Sequence, residues 1–141
     1  QQTITMETNL TIYCDGGARG NPGPAAIGIV INDKKYREYI GEATNNVAEY
    51  KAVIFALKKV IQLFGKDKTK GLNLVINVDS ELLYSQVIGE YKVKDSGLQP
   101  LFIDIWNLKQ DFGSIKFNLI PREKNKEADK LVNEELDLRL L

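Results

Sequence analysis

Asp15, Glu49, Asp79 and Asp129 are the residues whose surroundings would let several carboxylates meet. Leu10, Ile12 and Cys14 alternate with Thr11, Tyr13 and Asp15, a period of two that reads as a half-buried strand with Asp15 at its end, on the less apolar face. Gly16 and Gly17 follow, and without a Cβ they let the chain turn sharply and another backbone approach closely. Asp79 closes a second apolar run, Glu49 falls in the first turn of a helix, and Asp129 lies on a final helix. If the strands of Asp15 and Asp79 are neighbours, the two acids stand side by side. Two carboxylates ~4 Å apart repel by about 4 kcal/mol at an effective dielectric of 20, so a cluster of four requires protonation or cations. Ligands that are all oxygen favour a hard cation such as Mg²⁺, and a pair of such ions can activate water and stabilise a leaving oxygen.

The chain contains no histidine, which removes Ser-His-Asp and Cys-His catalysis, His-ligated zinc and a histidine general base. Metal-dependent phosphodiester hydrolysis is compatible with that absence. Taken singly, each acid also has an ordinary explanation. Asp15 before glycine is common turn chemistry. Asn46-Val47-Ala48-Glu49 fits a capping box, with Asn46 as the cap. Asp79 could be a simple helix N-cap, and Asp129 could pair on the surface with Lys126, one turn before it.

The elements that must position these acids follow from the pattern. Residues 25–32 are apolar and β-rich, Asn32-Asp33 signals a hairpin, and 35–42 is the returning strand. Tyr50, Val53, Ile54, Leu57, Val60, Ile61 and Phe64 recur at helical spacing, giving a long amphipathic helix that ends near Gly65. A strand at 72–78, helices at 80–88 and 98–112, a strand at 115–120 stopped by Pro121, and a helix at 123–138 complete the chain. Pro100 sits in a first helical turn, where its missing N–H costs little. The order β-β-β-α-β-α-α-β-α predicts an α/β domain with a mixed sheet and packed helices. The 141 residues, 43% of them hydrophobic, suffice for one domain with a real core.

Lys plus Arg and Asp plus Glu number 19 each, so no overall basic field draws nucleic acid. Positive charge nevertheless gathers at Lys58, Lys59, Lys66, Lys68 and Lys70, and again at Lys124, Lys126 and Lys130. Cys14 is the only cysteine, so no internal disulfide is possible. No apolar run approaches the ~20 residues of a membrane span. The expectation is a soluble, cytoplasmic protein with no membrane association. Met6 is the only methionine. Residues 1–9 read as an N-terminal extension that includes a cloning remnant, and 10–141 as the catalytic domain.

The ordered motifs Asp15-Gly16-Gly17 with Gly20-Asn21-Pro22-Gly23-Pro24, Thr44-Asn45-Asn46 with Glu49, Asp79-Ser80, and Asn125 with Ala128-Asp129 resemble type 1 ribonuclease H over nearly the whole domain. The resemblance implies a ribonuclease H-like fold: a five-stranded mixed sheet, three antiparallel strands first, with helices on both faces. It implies endonucleolytic cleavage of the RNA strand of an RNA/DNA hybrid, giving 5′-phosphate and 3′-hydroxyl ends. Two Mg²⁺ ions, with Mn²⁺ able to substitute, would be held by Asp15, Glu49, Asp79 and Asp129. Glu49 and backbone near Gly16 and Gly17 would sense the ribose 2′-hydroxyl. Asn21, Asn45 and Asn46 match residues that contact the hybrid in its minor groove, Thr44 lies where a DNA phosphate is gripped, and Ser80 and Asn125 belong to the same substrate-binding set. Turn formation and helix capping remain alternative roles for these polar residues.

Three departures from the family pattern carry expectations. Many members have a histidine on the loop before the last aspartate; here the loop is short, and Arg122 or Glu123 is the candidate substitute. Residues 90–97 are too few for the basic protrusion some members use as a substrate handle, and the expectation is that no hybrid-binding module precedes Leu10. Hybrid affinity is therefore expected to be modest and steeply weakened by salt. The expected form is a monomer without an obligate protein partner, with double-stranded RNA as the alternative duplex substrate.

Overall fold

The computed structural model describes residues 8–140. In chain order it forms β1 (Thr8–Ala18), β2 (Gly23–Ile31), β3 (Lys34–Ala43), α1 (Asn45–Phe64), α2 (Lys66–Thr69), β4 (Leu72–Val78), α3 (Glu81–Val87), α4 (Gln99–Lys109), β5 (Ser114–Leu119), a 3₁₀ turn (Arg122–Lys124) and α5 (Lys126–Leu138). The sheet order is β3-β2-β1-β4-β5. β1, β2 and β3 pair antiparallel, whereas β4 pairs parallel with both β1 and β5. The five-stranded mixed sheet is therefore the expected one.

Alternation along the strands assigns a helix layer to each face. Ile27 and Ile29 point into the main core with Ile12, Leu74 and Ile76, where Tyr50, Val53, Leu57 and Val60 of α1 pack against them. Ala26 points the other way and meets Val132 and Leu136 of α5. Gly28 shares that second face: a Cβ there would strike the Ala128 carbonyl at 2.5 Å, so its absence lets α5 lie directly on β2. The helical spacing read for α1 is realised, and its end is closed by the Gly65 N–H donating to the Ile61 carbonyl at 2.8 Å.

Several local expectations are corrected. β1 does not stop at Asp15 but continues through Gly16 and Gly17 to Ala18, because all three pair with β2. The turn comes only at 19–22. α1 is capped by Thr44, whose hydroxyl accepts from the Val47 N–H at 3.2 Å, so Asn46 lies inside the helix and Glu49 is not its capping-box partner. Ser80, not Asp79, caps α3 by accepting from the Leu83 N–H at 3.1 Å. Both shifts leave an acid uncommitted to backbone. The final helix is broken at Asn125, with the 3₁₀ turn before it. Thr8 and Asn9 already pair with β4, so the strand begins two residues before Leu10; the rest of the expected extension, 1–7, lies outside the described residues. Among the described residues no helix is long and apolar enough to cross a membrane.

Candidate active site

The parallel register of β1 with β4 brings Tyr13 opposite Asn77, so two residues further on Asp15 and Asp79 emerge level at the strand ends. Glu49 arrives from α1, whose Ala48–Glu49 backbone lies against Gly16 so closely that any Cβ there would collide with the Ala48 carbonyl. Gly16 thus serves close approach rather than a turn. Asp15, Glu49 and Asp79 each offer one carboxylate oxygen, and these lie within 4.8 Å of one another. Asp129, in the first turn of α5, lines the same cleft, where its charge bears on Asp15.

Electrostatics register the crowding. Burial, then the charges of Asp79, Asp129 and Glu49, pushes Asp15 up to about 8 from an ordinary 3.8. Burial also raises Glu49 to about 7; hydrogen bonding from Ser80 opposes that rise, Asp79 adds to it and the Arg122 guanidinium lowers it. Without cations the cluster holds protons. Oxygens bound to one hard divalent ion at 2.0–2.6 Å stand at most about 5 Å apart, which matches the spacing of the three carboxylates. With no nitrogen or sulfur among the donors, the set fits Mg²⁺ or Mn²⁺. Cys14, directly before Asp15, is buried and its thiol pKa is driven up by desolvation, so it belongs to the core.

The acids open into a cleft of about 500 Å³ that is also lined by Gly16, Gly17, Asn45, Asn46, Ser80 and Arg122. Asn21, Thr44, Glu123 and Asn125 do not line it. Asn21 and Asn45 brace the cleft rim: the Asn45 N–H donates to Asn21 Oδ1 at 3.0 Å and the Ala18 N–H to Asn45 Oδ1 at 2.9 Å. Asn125 is only 1% exposed, and its Nδ2 donates to the Cys14 carbonyl at 2.9 Å and to Asp79 Oδ2 at 2.8 Å. These bonds are made from within the core, and its Oδ1 has no protein partner among the described residues. The alternative surface pairing of Asp129 with Lys126 is not among the ion pairs of the described residues. Asp129 Oδ2 instead accepts from Asn133 Nδ2 at 3.3 Å.

Arg19, Glu81 and Asn133 also line the cleft and were missed by sequence reasoning. Asn133 had one available signal, its position four residues after Asp129 on a helix.

A protein-family model described as "Reverse transcriptase-like" matches residues 13–135. The solved structure of LC11-RNase H1 in complex with an RNA/DNA hybrid is similar to this chain with a TM-score of 0.88 and 46% identity, covering 94% of this chain and 99% of that one. Ribonuclease HI of Halobacterium salinarum is 37% identical over 131 residues, 89% of this chain and 63% of that protein. Bifunctional protein Rv2228c of Mycobacterium tuberculosis is 35% identical over 135 residues, 91% of this chain but 35% of that protein. The chain therefore spans about a third of its mycobacterial relative's length. Likeness of this extent, over a stretch that includes all four acids, is kinship: the chain belongs to the type 1 ribonuclease H family.

Proposed function

We propose that this protein is an endoribonuclease that hydrolyses the RNA strand of RNA/DNA hybrids, leaving 5′-phosphate and 3′-hydroxyl ends. The observation that carries the reading is the convergence of Asp15, Glu49 and Asp79 within 4.8 Å, with Asp129 adjoining, in a chain devoid of histidine. Asp15, Glu49, Asp79 and Asp129 would hold two divalent cations, Mg²⁺ with Mn²⁺ able to substitute, whose chemistry when bound is to lower the pKa of water and stabilise a leaving oxygen.

The chain's own residues organise the rest. Asn125 fixes the Asp79 carboxylate through a 2.8 Å hydrogen bond. Ser80 caps α3 by accepting from the Leu83 N–H and acts to lower the pKa of Glu49. Gly16 and Gly17 expose backbone at the cleft floor, where a ribose 2′-hydroxyl would be sensed. Asn45 and Asn46 line the cleft and would make the minor-groove contact, Asn21 supports Asn45, and Thr44, which caps α1, would lie near a phosphate of the DNA strand. Arg122, which lines the cleft near Glu49, is the candidate for the position where many family members carry histidine; Glu123 does not line it. All four acids come from one chain, so a monomer suffices.

LC11-RNase H1 has been solved with an RNA/DNA hybrid, which supports the hybrid as substrate. The test is cleavage of an end-labelled RNA strand presented with DNA, with RNA or alone, in the presence and absence of Mg²⁺. Cutting of the Mg²⁺-containing hybrid alone is expected. Equal cutting of the RNA duplex would make the protein a broader ribonuclease, and binding without cutting would make it a nucleic-acid-binding module.

A further inference from the structure

Asn133 lies one helical turn beyond Asp129 on α5, and its amide is engaged at both ends. Nδ2 donates to the Asp129 carbonyl at 3.1 Å and to Asp129 Oδ2 at 3.3 Å. Oδ1 accepts from Arg19 Nη2 at 3.2 Å, and the same nitrogen lies 3.4 Å from the Asn133 carbonyl and 2.7 Å from Asp137 Oδ1. A guanidinium has no acceptor and a carboxylate no donor, so these partners settle which way the amide faces.

Arg19 follows Asp15 by four residues along the chain, as Asn133 follows Asp129. Two rungs thus join the same two segments. The first, Asp15 with Asp129, is repulsive when both are ionised. The second, Arg19 with Asn133 and Asp137, is attractive. Both Arg19 and Asn133 line the cleft that holds the acids. An amide donor on Oδ2 limits rotation of the Asp129 carboxylate, which otherwise turns away from its neighbour at little cost.

We propose that Asn133 is a positioning residue that keeps the Asp129 carboxylate turned into the acidic cluster, with Arg19 and Asp137 fixing Asn133 in place. The proposal rests on reading the four acids as a metal-holding hydrolytic site. It assigns Arg19 a role through Asn133, with no contact to the reacting atoms. The contacts are solvent-exposed, so they add little to global stability.

A control is built into the same helix. Arg37 of β3 binds Glu134 at 2.8 Å and Glu135 at 3.2 Å, tying α5 to the sheet without lining the cleft. Mn²⁺ titration by calorimetry and hybrid-cleavage kinetics should be run on the wild type and on Asn133→Ala, Arg19→Ala, their double variant and Arg37→Ala. Asn133→Ala is expected to weaken Mn²⁺ binding and lower kcat by about tenfold each, with KM for hybrid unchanged. Arg19→Ala should shift both in the same direction, and the double variant should be no worse than Asn133→Ala, because the two act in series. Wild-type Mn²⁺ affinity in Asn133→Ala, or an equal loss in Arg37→Ala, would overturn the positioning role while leaving the cleavage reading intact. A wild-type protein that neither binds Mn²⁺ nor cuts hybrid would overturn both.

Discussion

Asn125 Nδ2 lies 2.8 Å from Asp79 Oδ2 while the same amide donates to the Cys14 carbonyl, so one buried side chain joins the strand before Asp15 to Asp79. The break between the 3₁₀ turn and α5 is what places it there. Asn125→Ala should cost about 2–3 kcal/mol of stability, since one buried and one part-buried hydrogen bond are lost, the second of them to a carboxylate. It should also lower cleavage. Urea denaturation checks the first expectation; a change within about 0.5 kcal/mol, the range of ordinary surface substitutions, would contradict it.

The acids predict how metal-free protein responds to pH. Asp15 and Glu49 are raised to about 8 and about 7 from 3.8 and 4.5. A carboxyl that binds its proton more tightly when folded contributes stability that is complete below its unfolded pKa and is lost as pH rises through its folded one. The melting temperature in EDTA should therefore fall as pH rises from about 4 to about 8, and Asp15→Asn should flatten that slope. Added Mg²⁺ should restore more stability at about pH 8 than at pH 6, where it competes with protons. Identical slopes for wild type and Asp15→Asn would be the contrary result.

Gly16→Ala tests close approach within the site. Its Cβ would drive into the Ala48 carbonyl, which precedes Glu49, so α1 and β1 must separate. A loss of about 1–3 kcal/mol is expected, as for other overpacked positions, together with weakened Mn²⁺ binding. Gly17→Ala is the matched comparison, because its Cβ would meet only Val132 Cγ1 at 3.5 Å, an ordinary contact. Equal effects of the two would contradict the account.

Arg122 and Glu123 are neighbours with different prospects. Arg122 lines the cleft and lowers the pKa of Glu49, whereas Glu123 does not line it. Arg122→Ala should reduce turnover by about tenfold or more, as loss of a charge aimed into a cleft does, while Glu123→Ala should leave it unchanged. Steady-state kinetics on one hybrid decides this, and the reverse ranking would exchange the two assignments.

The acids and their strands were legible because period-two patterns place Asp15 and Asp79 at strand ends whatever the loops do. Helix starts were not. Thr44, Asn45 and Asn46 are all competent caps, and only the observed Thr44 bond to Val47 distinguishes them. Gly16 and Gly17 read as a turn because glycine permits both a turn and a tightly packed strand; pairing with β2 decides between them. The roles of Asn125 and Asn133 depend on contacts 111 and 114 residues away along the chain, to Cys14 and from Arg19, which no local pattern announces.

The most direct measurement is Mg²⁺-dependent cleavage of a hybrid with end-labelled RNA by wild type and by Asp79→Asn, beside Mn²⁺ calorimetry on both. The account predicts cutting of the RNA strand by the wild type only, with Mn²⁺ binding weakened in the variant. Undiminished cleavage by Asp79→Asn, or hybrid binding by the wild type with no cleavage in Mg²⁺, would contradict it.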